Sequence, residues 1–167
     1  MKKNKQILGK QCLRRLLYGL TLGFFYTLFL GGTYTGLAPV PLEFIRVVWG
    51  ITQLILAYGV FCIYQLSEEP KYILATVLLV ASSVFTLIPL IHLGFIALAV
   101  EALAVTGLSL VLYDLGKARP ESGLILVGGL IFLGVIFSIL NQPTMAGVGI
   151  LALLIGFLLG ATRIMRL

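Results

Sequence analysis

Long apolar runs alternate along the chain with short polar or proline-bearing breaks. Six runs stand out: Leu16–Leu37, Phe44–Leu66, Tyr72–Ile88, Ile91–Tyr113, Gly123–Leu140 and Met145–Ala161. The breaks are Ala38–Glu43 with Pro39 and Pro41, then Ser67–Lys71, Pro89, Asp114–Ser122 and the NQPT turn Asn141–Thr144. A spanning helix needs about 20 mostly apolar residues, and a barrel strand shows about ten in alternation. These runs do not alternate, so each predicts a transmembrane helix, which satisfies its own backbone groups where water is absent. The expected fold is an all-α integral membrane bundle of six transmembrane helices paired into three hairpins. Leu16–Leu37 is too long for a signal-peptide core. Pro39 directly after Ala38 argues against cleavage there, so the span is read as retained. The expected organisation is a basic arm over 1–15, the bundle over 16–162 and a short basic end over 163–167.

Composition agrees with that pattern. The chain is 60% hydrophobic and 11% charged, against about 25% charged in soluble domains. The formal charge of +6 does not indicate nucleic acid, because the basic residues gather at span ends. Six spans put both termini on one side. Eleven of the twelve Lys and Arg residues then fall on that side, and Arg46 falls on the other. Positive residues mark cytoplasmic loops, so both termini are expected in the cytoplasm and the protein in the cell's inner (plasma) membrane. Cys12 and Cys62 have no spacing that indicates a metal site or redox pair, and both read as small apolar fillers.

Small residues recur at spacings of four: Gly19 and Gly23 on the first span, Ala152, Gly156 and Gly160 on the sixth. Such pairs let helices approach closely. The second and third hairpins also resemble each other. Ile73 and Phe85 match Ile125 and Phe137 at one offset, and Gly94 and Gly107 match Gly147 and Gly160 one residue further on.

The candidate chemistry is sparse. Glu101 stands near the middle of the fourth run. A carboxylic acid there costs at least roughly 2.5 kcal/mol on insertion scales, so it is expected to face the bundle interior with a partner or a proton. Gln53 and Tyr26 lie at similar depth and are the expected hydrogen-bond partners. Together with His92, at the mouth of the same helix, they form the candidate ligand or proton-relay set. His92 lies nine residues from Glu101, about 13.5 Å along a helix axis, so the two do not touch. Trp49, near the end of the second run, reads as an interfacial aromatic. Ser82, Ser83 and Thr86 can bond to their own helix carbonyls. No HExxH, CxxC, phosphate-binding glycine loop or Ser/His pair is present, so no catalytic residue, metal or cofactor is expected and the protein is not read as an enzyme.

The stretch GLILVGGLIFLGVIFSILNQPTMAGVGILALLIGFLLGATRIM resembles the repeats of the acid-resistance membrane protein family (HdeD-like). Those are six-helix proteins with Gly-rich helices, a Pro at the hairpin turn and basic residues after the second helix. The resemblance extends loosely over residues 72–115 and implies a small inner-membrane protein with a stress-linked role and no catalytic set. Two functional expectations follow. The first is a non-catalytic membrane protein acting in assembly, interaction or stress response. The second is a small transporter, a channel or the substrate-binding membrane subunit of an importer, using Glu101. The expected partners are the lipid bilayer and either further copies of the chain or other membrane subunits, with no nucleic acid. A cavity against Glu101 would favour the second, and side chains closed over it the first.

Overall fold

In the computed structural model, residues 2–37, 40–88, 94–118, 123–139 and 143–167 are described. They form six helices: α1 (Lys2–Tyr34), α2 (Leu42–Ser67), α3 (Pro70–Leu87), α4 (Gly94–Ala118), α5 (Leu124–Ile139) and α6 (Pro143–Met165). Among the described residues five are long and apolar enough to cross a membrane, against the six that the run pattern predicts. The described part of α5, 16 residues, rises about 24 Å against a hydrocarbon core of about 30 Å. Helix α1 has no break near residue 15 and continues the basic arm as helix for 33 residues.

The hairpins do not stand apart. Each helix packs on its neighbours in the chain, α2 against α3 as fully as α1 against α2, and α6 closes on α1. The result is a ring of six. Small residues set its seams. A Cβ at Gly134 would lie 3.0 Å from the carbonyl oxygen of Gly149, and one at Gly149 would lie 2.7 Å from that of Gly134. There α5 and α6 meet backbone to backbone, which only glycine permits. The repeat seen in the sequence has a packing counterpart. Gly107 faces Ala75 across α4 and α3, and Gly160 faces Val127 across α6 and α5. Of the predicted packing residues, Gly19 lies against Leu56, Gly23 against Phe157, Gly156 against Ile131, and Gly160 also against Leu20. Ala152 is only half-buried.

Cys12 and Cys62 are not independent fillers. They form a disulfide between α1 and α2, with Cα atoms 5.3 Å apart. Pairs joining the two helices include Cys12–Cys62, Leu16–Gly59, Gly19–Leu56 and Tyr26–Trp49. The two numbers in each average 37 to 37.5, so one antiparallel register brings the cysteines together.

The core is lopsided along the bundle axis. The largest fully buried side chains include Leu16, Leu20, Leu56, Leu108, Leu112 and Leu124, all toward the end that carries the termini. Phe157 and Ile131 cap that packed region near mid-height. Charged groups decorate the same end. Lys71 bridges Glu69 and Asp114 at 2.6 and 2.7 Å. The Arg15 guanidinium lies 4.0 Å from the Tyr58 ring centre, and the Lys117 ammonium 5.1 Å from that of Tyr113. Arg119 and Glu121 lie outside the described residues.

Candidate functional site

Two cavities lie in the half of the bundle away from the termini. The described part of α4 runs Gly94–Ala118, and Glu101 lies seven residues from Gly94, in that same half. Trp49 lies the same number of residues into α2, and Tyr26 eight from the end of α1. Helices entering the ring at the same level therefore present these three side chains to one another.

The Trp49 Nε1–H donates to Glu101 Oε1 at 2.8 Å. Tyr26 stacks on the Trp49 indole with centroids 4.4 Å apart and planes 19° from parallel. Phe157 meets the indole edge-on at 6.3 Å. Tryptophan suits this position because it buries a broad apolar body and carries one donor that must find an acceptor. The donor on Glu101 is thus Trp49 and not Gln53 or Tyr26, as the sequence led us to expect. Trp49 is 6% exposed, so it belongs to the interior and not to an interfacial belt. One fact about α2 could have revealed this: Trp49 and Gln53 are four residues apart and share its inward face.

Gln53 sits one turn deeper, fully buried, and serves a different seam. Its Nε2 donates to Ser82 Oγ at 2.8 Å, and Ser83 Oγ donates to the Gly50 carbonyl at the same distance. These bonds tie α2 to α3. Interhelical hydrogen bonds in a membrane are each worth about 0.6 kcal/mol. Among the described residues, Gln53 Oε1 has no hydrogen-bond partner. Thr86, by contrast, bonds to its own helix at Ser82 O, 2.8 Å away, as expected.

Two cavities flank the Tyr26–Trp49 wall. The wider one, about 290 Å³, is lined by residues of α1 to α4, including Arg46, Phe85, Thr86 and Ala97. The narrower one, about 180 Å³, reaches α5 and α6 through Val135, Ser138 and Leu153. Tyr26, Leu30, Trp49 and Glu101 line both, so the acid stands at their junction. The wider lobe is near the lower limit of small-ligand pockets, about 300 Å³. Arg46 reaches the rim and is exposed to solvent. Neither Arg46 nor Ser138 was singled out from sequence as a site residue. His92 lies outside the described residues.

Chemically the arrangement can bind, orient and hold charge. Among the described residues no group of three His, Cys, Asp or Glu could hold a metal ion. Compared with known proteins, the chain matches no family model, no curated protein and no solved structure.

Proposed function

We propose that this chain is a small-molecule-binding membrane protein, the capturing unit of an uptake system or a small transporter, whose pocket opens away from the cytoplasm. One observation carries the reading: two cavities in the half of the ring away from the termini meet at Glu101 and Trp49. A further cavity of about 200 Å³ lies between α3 and α4 nearer the termini, but Glu101 does not line it. The concentration of Lys and Arg at the packed end supports a cytoplasmic position for both termini and an inner (plasma) membrane location. The buried Cys12–Cys62 bond at that end is compatible with this placement, because both residues are sealed between α1 and α2 and out of reach of the reductants that keep cytosolic thiols reduced. The pocket holds no nucleophile–base pair, so the reading is of binding without catalysis.

The assembly or stress-response reading, and the acid-resistance resemblance with it, keep one supporting observation in the matched contacts of the second and third hairpins. That reading needs Glu101 sealed by side chains, which two cavities on the acid disfavour.

Cysteine accessibility tests the proposal. The two native cysteines are paired, so a single cysteine at Ala97 in the wider lobe has no background. In right-side-out vesicles a membrane-impermeant maleimide should label Ala97→Cys, and the same reagent should not label Leu112→Cys on the packed side. Labelling of Ala97→Cys only from inverted vesicles, or from neither side, overturns the reading.

A further inference from the structure

Three of the pocket's polar groups have already committed their protons, the Ser138 and Thr86 hydroxyls and the Trp49 indole, whereas the Tyr26 hydroxyl and the Arg46 guanidinium also line it and can donate. Ser138 Oγ donates to the Gly134 carbonyl at 2.7 Å, and Thr86 Oγ1 to that of Ser82 at 2.8 Å. Each hydroxyl has thereby committed its single proton and turns only lone pairs to the cavity. The Trp49 N–H is committed to Glu101 Oε1. Among the described residues no Lys or Arg pairs with Glu101, and the indole is its one donor. A carboxyl in a low-dielectric interior without a counter-charge is costly, and a ligand that brings positive charge and several donors removes that cost. The faces of Tyr26 and Trp49 add a surface that attracts cations. Arg46 opposes this only weakly, because it stands exposed at the rim where solvent and salt screen it.

We propose, resting on the reading of this space as a ligand pocket, that its ligand is an organic cation bearing a protonated amine, with Glu101 as the counter-charge and Ser138 or Thr86 accepting a second N–H. An inorganic ion fits less well, because the two hydroxyls line different lobes and would not both join Glu101 around one ion.

Trp49 is the chain's single tryptophan, so its fluorescence reads the site directly. Purified full-length protein in detergent is titrated with primary amines from butylamine to phenethylamine, each against the alcohol of the same skeleton, and with sodium and potassium chloride. The expected result is a saturable change in Trp49 emission for at least one amine, at least tenfold weaker for its alcohol, absent with either salt. Glu101→Gln should weaken the amine at least tenfold and leave the alcohol unchanged, and Glu101→Asp should recover part of the loss. If Glu101→Gln does not fold, the amine-to-alcohol ratio of the unaltered chain decides. Equal binding of amine and alcohol, or an equal response to salt, overturns the cation assignment and leaves the pocket standing. No saturable response to any probe, from monodisperse protein, overturns the cation assignment and the pocket reading together.

Discussion

Replacing Gly149 with alanine should destabilise the bundle, whereas the same change at Gly129 should not. The contrast comes from what each new methyl meets. At Gly149 the Cβ would lie 2.6 Å from Ser138 Oγ and 2.7 Å from both Ser138 N and Gly134 O. Two of those atoms are backbone of α5 and cannot swing aside, so the helices must separate. Overpacking of this kind costs about 1–3 kcal/mol. The intrinsic helical gain of Ala over Gly, about 0.8–1 kcal/mol, offsets part of it. With backbone on both helices immovable the upper half of that range applies, and the net loss is about 1–2 kcal/mol. For a chain of this size that lowers Tm by roughly 2–8 °C. At Gly129, in the first half of the same α5, a Cβ meets nothing within 4 Å, so only the helical gain remains and Tm should hold or rise by roughly 2–4 °C. The assay is thermal unfolding of the two purified variants in one detergent, followed by circular dichroism. Equal shifts for both, or stabilisation at Gly149, would refute the backbone-to-backbone seam between α5 and α6.

Other outcomes follow from the same coordinates. The paired change Cys12→Ser and Cys62→Ser opens a loop of sequence separation 50 and should destabilise the protein by up to about 4 kcal/mol on the loop-entropy account; a double-serine variant that melts like the unaltered chain would remove the bond from the native state. Gln53→Leu alone should cost about 0.6–1.7 kcal/mol, whereas Gln53→Leu with Ser82→Ala should return to within about 0.5 kcal/mol of the unaltered chain, because both partners and the orphan Gln53 Oε1 are removed together; additive losses in a double-mutant cycle would sink that pairing. Trp49→Phe strips Glu101 of its donor and should cost about 1.5–3 kcal/mol by circular dichroism melting, with part of the loss recovered by adding Glu101→Gln; a neutral Trp49→Phe would mean the indole bond is idle.

Much of the architecture was legible before any coordinates. Run length gave the helices and their order, and the glycine spacings named residues that do sit in tight seams, Gly23 on Phe157 and Gly156 on Ile131. Glu101 was legible because an acid in an apolar run is expensive wherever it lies. Its partner was not, since depth counted from run boundaries put Gln53 and Tyr26 beside it and placed Trp49 at the lipid interface. Rotation about the α2 axis decides between them, and the spacing of Trp49 and Gln53, four residues apart, was the one sign of it. The disulfide was missed for a different reason. Linear spacing says nothing about two cysteines far apart in sequence, and the turn read from sequence, Ala38–Glu43, is centred past residue 37, the point about which Cys12 reflects onto Cys62. The two cavities at Glu101 could not be read at all, because a void is defined by what fails to meet across the ring.

The length of α1 has one further consequence. The disulfide rivets α1 to α2 at residue 12, and α1 continues on both sides of that rivet. About 15 Å of basic helix extends toward Lys2, and Tyr26 stands about 21 Å the other way at 1.5 Å per residue. Beyond the rivet toward the pocket, Gly19 on Leu56 and Gly23 on Phe157 hold the rod against both neighbours. The basic arm is therefore an overhang of a fixed helix, and its lysines keep a set distance from the bundle.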